Sequence, residues 1–280
     1  MTRVALRFGE PGRERPAARI DGELLDVSGM IPDWSGQTLA ELDRHLNGLD
    51  PAELPAVPEG ARLGCPVGGV RKILAIGLNY AGHLREMKAE RRADPMLFAK
   101  AVTALSGPED PILIPPGARC VDWEVELVVV IGRDGSRIPE VQAMDHVAGF
   151  CTGIDVSERH WQKSRGGQFI KGKSADSFAP VGPWLVPAGQ VDLQAGLDLT
   201  LQVNGEVKQH SNTRLMLHDV PALVAHVSGF MRLQAGDLLF TGTPDGVGMG
   251  RTPPEYLRPG DRVEAEVAGL GRQRHPVVGC

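Results

Sequence analysis

Val121-Asp122-Trp123-Glu124-Val125-Glu126-Leu127-Val128-Val129-Val130-Ile131 is the stretch that decides how this chain is read. Its second half is apolar without a break, as expected of a strand entering a core. Side chains alternate between the faces of a strand, so Glu124 and Glu126 share one face. Two like charges on one face of a mostly buried strand repel each other and lose hydration, at a cost on the order of several kcal/mol. A divalent cation compensates for such a cost, and hard oxygen ligands suit Mg2+, Mn2+ or Ca2+. From this strand alone, a solvated edge-strand face accounts for the two acids equally well. Asp155 tips the balance, because it ends a second apolar strand over residues 147–154 and adds a third carboxylate. Glu124, Glu126 and Asp155 around one ion leave positions free for water and substrate. Asp122 shares their face but opens the strand, so support of the cluster or simple exposure suits it better than ligation.

Working outward, short strands and turns dominate. The segment Ile20-Asp21-Gly22-Glu23-Leu24 reads as a turn between two strands. Helical spacing of apolar residues runs from Thr38 to Leu49. The stretch from Asp50 to Gly69 is rich in proline and glycine and reads as a linker, which sets a boundary near residue 70. Beyond it we expect a strand from Lys72 to Leu78, a short helix from Tyr80 to Ala89, a helix through Pro139 to Ala143 and another from Asp219 to Phe230. Leu197–Val203, Asn204-Gly205 and Glu206–Gln209 form the strongest hairpin signal, since Asn-Gly suits a type I′ turn. Further strands are expected at Leu238–Thr241 and Arg262–Val267, while residues 158–178 show no clear periodicity. The class is α+β and β-rich, with residues 1–70 as a small N-terminal domain plus linker and residues 71–280 as the main domain.

Composition narrows the function. With a formal net charge of −5 and no dense Lys/Arg stretch, the chain lacks the basic footprint of a nucleic-acid binder. The longest apolar run, Leu127 to Ile131, is far short of a membrane span. No signal peptide is expected at the N-terminus, and Cys65, Cys120, Cys151 and Cys280 have neither disulfide nor metal-type spacing. These features point to a cytoplasmic protein whose partner is a small molecule.

The chain also resembles the fumarylacetoacetate hydrolase family, from about residue 71 to the C-terminus. The resemblance rests on Gly77-Leu78-Asn79-Tyr80-Ala81-Gly82-His83-Leu84-Arg85-Glu86, Phe98-Ala99-Lys100, Asp122 to Glu126 and Asp155-Val156-Ser157-Glu158-Arg159. It continues through Lys171-Gly172-Lys173-Ser174, Val203-Asn204-Gly205 and Thr241-Gly242-Thr243-Pro244-Asp245-Gly246-Val247-Gly248. Each segment is weak alone; their number and order are specific. The resemblance implies a mixed β-sandwich roll behind a small N-terminal domain, usually a homodimer, with Glu124, Glu126 and Asp155 on the metal. The family's founding hydrolase has another acidic ligand upstream of its catalytic histidine. Residues 71–82 contain no acid, so the chain is similar to the smaller bacterial type. Arg159, Arg165-Gly166-Gly167, Lys173-Ser174 and Leu257-Arg258-Pro259-Gly260-Asp261 look closest to hydrolases of 2,4-diketo-3-deoxy sugar acids, though acylpyruvate hydrolases and oxaloacetate decarboxylases share most of these positions.

Individual roles follow from both readings. His83 and Glu86 lie three apart, on one side of a helical turn, which suits a base whose tautomer a carboxylate fixes. Taken alone, such a pair is more often a surface contact; the resemblance makes it catalytic. Lys173 is an exposed loop lysine by default, and the resemblance makes it a site cation that stabilises an oxyanion. Lys100 is a second candidate cation. Arg159 and Gln162 could share a helical face with Asp155 and contact substrate, with surface exposure an equal alternative. The glycine-rich segment at Thr243 offers backbone N–H groups to a substrate carboxylate, or else is only a tight turn. Trp123 and Trp161 are expected to pack. Together these expectations describe metal-dependent cleavage of a carbon–carbon bond in a 2,4-diketo acid with release of pyruvate. Oxaloacetate decarboxylation, muconate-type isomerisation and a silent metal- or metabolite-binding protein are the alternatives.

Overall fold

In a computed structural model describing residues 3–280, two sheets pack face to face to make a sandwich. A six-stranded sheet has the order Val186–Pro187, Val147–Ile154, Val125–Ile131, Leu238–Phe240, Ile73–Gly77, Met96–Lys100. Only Leu238–Phe240 and Ile73–Gly77 pair in parallel. Every residue of Val125–Ile131 and of Val147–Ile154 is buried, so this pair forms the centre of the core. The five-stranded sheet runs Glu206–Asn212, Asp198–Val203, Arg262–Val267, Arg272–Gly279, Ile112–Ile114. Residues 3–64 build a separate four-stranded sheet, whose backbone joins the sandwich where Ala5 and Leu185 exchange hydrogen bonds of 3.0 and 2.8 Å.

Local chemistry explains the turns. Asn204 and Gly205 both take positive φ, 53° and 81°, and Val203 pairs with Glu206, as a two-residue hairpin with the strand twist requires. Asp21 and Gly22 do the same between Ile20 and Glu23. The helix Val220–Phe230 begins where the Asp219 carboxylate accepts from the Ala222 N–H. Residues 50–69 are more structured than a linker: Asp50 caps a short turn, and Leu63–Gly64 adds the fourth strand to the N-terminal sheet. The strands Met96–Lys100 and Arg272–Gly279 carry no clean alternation of their own; register against their neighbours creates them.

The stretch Val121–Ile131 differs from the continuous strand expected of it. Val121–Asp122 pairs with Ser157–Glu158, and Val125–Ile131 pairs with Val147–Ile154, but between them the ladder opens at Trp123-Glu124 and Asp155-Val156. Side chains take over there: Asp122 accepts from the Trp123 N–H, and Gln209 accepts from the Val125 N–H. A single backbone bond, Asp155 N–H to the Glu124 carbonyl at 2.9 Å, spans the gap.

Candidate metal centre and active site

The opened ladder places the three acids. Val125 faces Ile154 and Glu126 faces Gly153, so the register extends to put Glu124 opposite Asp155 on the face that Glu126 shares. One carboxylate oxygen from each of Glu124, Glu126 and Asp155 lies within 4.8 Å of the others, and all three residues are buried. Oxygen-only donors from three carboxylates form a set that fits a hard divalent cation.

Cations surround two of the acids. The Lys173 ammonium bonds Glu124 at 2.7 Å and Asp155 at 2.6 Å. Arg159 donates to Glu124 at 2.6 Å and to Asp122 at 2.8 Å. Lys100 donates to the other Asp155 oxygen and, at 3.3 Å, to the Val156 carbonyl. Among the described residues, Glu126, 1% exposed, forms no salt bridge within 4.0 Å; its hydrogen bond comes from the Gly242 N–H at 2.7 Å. The charge states follow this division. Burial pushes Glu124 up, but Arg159 and Lys173 more than reverse it and hold its carboxyl well below the usual range. Burial and the charges of Asp155 and Glu124 drive Glu126 well above its ordinary value. Lys173 stays raised because Asp155 and Glu124 outweigh its burial. Lys100, pushed down to about 8, is dominated by burial.

A cavity of about 190 Å³ opens over this cluster, and Glu124, Glu126, Arg159, Gln162, Lys173, Thr243 and His83 line it. The helix Ala81–Glu86 delivers His83, whose Nδ1 lies 3.0 Å from Glu86. An ionised carboxylate only accepts, so Nδ1 carries the proton and Nε2 is left basic. The second Glu86 oxygen accepts from the Gly246 N–H at 2.9 Å, in a space that a side chain at Gly250 would fill.

Several expected positions are altered. Lys100 is behind Asp155 and does not line the cavity, because its ammonium is taken up by the acid it neutralises. Asp155 is not on a helix with Arg159 and Gln162. The chain first forms the bridge Ser157–Glu158, and the helix Arg159–Ser164 brings Arg159 and Gln162 together at 3.2 Å. The backbone N–H groups near Thr243 serve protein carboxylates: Gly242 serves Glu126, Gly246 serves Glu86, and Gly248 and Met249 serve Asp122. Asp122 is therefore neither exposed nor in the cluster; it is the buried holder of Arg159.

Lys173 reaches the cluster from the one-turn helix Ile170–Lys173, not from an irregular loop. A Cβ on Gly172 would lie 2.5 Å from the Glu158 carbonyl and 2.7 Å from the Gln162 nitrogen, so only glycine lets the two short helices approach this closely. Trp123 packs as expected, fully buried with its indole N–H on the Gly246 carbonyl.

Comparison with known proteins gives the same outline. Residues 72–278 match the family described as Fumarylacetoacetate (FAA) hydrolase C-terminal. A Burkholderia multivorans protein, named only provisionally as a hydrolase, is 46% identical over 271 residues, 96% of each chain. The fumarylacetoacetate hydrolase of Exiguobacterium antarcticum superposes with a TM-score of 0.87 at 34% identity, covering 100% of both chains. Maleylpyruvate hydrolase from Sphingobium sp. SYK-6, solved with manganese(II) and pyruvate, gives 0.79 at 30% identity and 99% coverage of each chain. A 5-carboxymethyl-2-hydroxymuconate delta-isomerase from Mycobacterium smegmatis gives 0.78 at 33% identity, again over 99% of each. With a matched sandwich, a buried carboxylate triad and a domain match over most of its length, the chain belongs to the fumarylacetoacetate hydrolase family.

Proposed function

We propose that this protein is a divalent-metal-dependent hydrolase that cleaves the C3–C4 bond of a small 2,4-diketo acid and releases pyruvate. The observation that carries the reading is Glu126: a fully buried acid with no cation partner among the described residues, beside two more carboxylates and lining a cavity that His83, paired with Glu86, also lines. Glu124, Glu126 and Asp155 would hold Mg2+ or Mn2+. An ion bound there supplies Lewis-acid polarisation of the 2-oxo acid and withdraws negative charge from it.

The remaining chemistry belongs to the chain. His83 Nε2 takes a proton from water, with Glu86 fixing the ring through Nδ1 and Gly246 fixing Glu86. The resulting hydroxide oxygen adds to the C4 carbonyl. Lys173, a cation kept charged by its acidic neighbours, stabilises the oxyanion that forms. The C3–C4 pair of electrons then leaves as the enolate of pyruvate, which is protonated at C3, and the C4 fragment departs as a carboxylic acid. Arg159, Gln162 and Thr243 line the wall against which the acid is oriented. Lys100 supports Asp155 from behind. The catalytic unit is residues 71–280, with residues 1–70 as an accessory N-terminal domain. A cytoplasmic homodimer is part of the same proposal. Among the described residues, no helix is long and apolar enough to cross a membrane.

The test is release of pyruvate from acylpyruvates with Mn2+ or Mg2+ present. His83→Ala should retain metal binding and lose about 10²–10⁴-fold in rate; normal turnover in that variant would remove the assigned base. Isomerisation of a hydroxymuconate-type diacid is the second reading, favoured by the named activities of several solved relatives. It predicts a change in the ultraviolet spectrum of such a diacid with no pyruvate formed.

A further inference from the structure

The lining of the cavity is charged in one part and apolar over most of the rest. Glu124, Glu126, Arg159 and Lys173 make up the charged part. The Phe98 ring adjoins it, with its centroid 5.2 Å from the Lys173 ammonium. The rest of the wall includes Leu78, Met87, Met96, Phe169 and Met249, and the Phe98 and Phe169 rings meet edge to face with centroids 5.3 Å apart. Thioether and aromatic surfaces adapt to a hydrocarbon chain and offer almost nothing to a hydroxyl.

The polar residues on the wall are largely committed to the protein. Thr243 donates its hydroxyl to the Val125 carbonyl and accepts from the Gln209 amide. The Gln162 side-chain oxygen accepts from Arg159, and His83 Nδ1 is bonded to Glu86. Among lining side chains outside the charged part, this leaves the Gln162 amide nitrogen, His83 Nε2 and the Lys163 ammonium. His83 Nε2 is the proposed base and is needed for water. Few side-chain partners remain for a run of hydroxyl groups, each of which brings both a donor and an acceptor against a wall made mostly of thioether and aromatic surface.

We infer that the substrate carries an apolar carbon chain at C4, not a polyhydroxylated one. The inference rests on the reading of the charged part as a 2-oxo acid site. It separates two substrate groups that sequence resemblance leaves together: acylpyruvates, which fit this wall, and 2,4-diketo-3-deoxy sugar acids, which do not.

Calorimetric titration of the Mn2+-loaded protein tests it without requiring turnover. From 2-oxobutanoate through 2-oxohexanoate to 2-oxooctanoate, each methylene that the cavity takes up should tighten binding about fourfold. The six-carbon acid with hydroxyls at C4, C5 and C6 should bind at least about 10-fold more weakly than 2-oxohexanoate, since thioether and aromatic surfaces do not replace the water its hydroxyls give up. Equal or tighter binding of the hydroxylated acid overturns the inference. So does failure of every 2-oxo acid to bind, which removes the site reading beneath it. Pyruvate release from 2,4-dioxohexanoate and its hydroxylated analogue is measured alongside. A chain-length preference in binding with no release from either compound keeps the apolar pocket and sinks only the hydrolytic step.

Discussion

Replacing Glu126 with glutamine separates the charge at the centre of the site from its shape. The amide has nearly the same volume, and its oxygen can still accept from the Gly242 N–H that bonds Glu126 at 2.7 Å. What disappears is an acid, 1% exposed, whose ionised form is disfavoured by burial and by Asp155 and Glu124, and that no cation among the described residues pairs. The metal-free variant should therefore be as stable as the parent or more so, because removing an unpaired buried acid relieves strain instead of creating it. Metal binding should change in the opposite sense. In the parent, an ion at a hundredfold excess over its Kd adds about 2.7 kcal/mol to the folded state. For a chain of this size that is a rise in Tm of roughly 5–10 °C. Loss of a contact that merely supports a ligand costs up to about 100-fold in affinity, and loss of an anionic ligand should cost at least as much. At the same ion concentration the variant then gains no more than about 0.4 kcal/mol, a shift of roughly 1 °C. Thermal denaturation of both proteins with and without MnCl2 gives all four numbers. A parent-like metal shift in Glu126→Gln, or a marked fall in its metal-free Tm, would refute the assignment of Glu126 as the unpaired ligand.

Three further outcomes follow from single contacts. Gly172→Ala should push the helix Ile170–Lys173 away from Arg159–Ser164 and displace Lys173; a misplacement near 1 Å costs about 10²-fold in turnover, and unaltered activity would show that the close approach is not needed. The Tyr80 hydroxyl is buried without a hydrogen-bond partner among the described residues, so Tyr80→Phe should leave Tm unchanged or raise it, by up to about 1–3 kcal/mol of stability; a clear loss would reveal a bound water at that oxygen. Burial pushes the His275 imidazole down to about 4, outweighing the oxygens of Asp110 and Gln273 that face its two nitrogens. The unfolded chain protonates this group near pH 6.5, so the stability it contributes is present above about 6.5 and lost as pH falls toward 4, about 3 kcal/mol in all. Urea denaturation across that window measures the loss, and an NMR titration showing His275 protonated in the native state at neutral pH would mean that the two acceptors win.

Some of this molecule was legible because the signal is local. Asn204-Gly205 demands positive φ at adjacent positions, and Asp219 to Phe230 reads as a helix, so both elements form where the sequence places them. Strand alternation put Glu124 and Glu126 on one face, and the fate of unpaired buried charge suggested an ion. The same alternation misjudged the strand itself, since the gap at Trp123-Glu124 is held open by Asp122 and by Gln209, which is distant in the chain. The role of Gly172 was equally hidden. Its need for glycine comes from Glu158 and Gln162, and no local pattern signals a clash between two short helices.

By itself the sequence determined the family, the sandwich, and three acids that must meet, because motif order and the cost of like charges are properties of residue type and spacing. The tertiary structure decided which acid is left without a cation, that Lys100 backs Asp155 instead of facing the cavity, and that Met87, Met96, Phe98, Phe169 and Met249 line the same cavity as the charged cluster. Those outcomes depend on which distant segments come within a few ångströms of one another. Charge pairing and cavity lining are sums over such neighbours, and a linear chain specifies them only once it has folded.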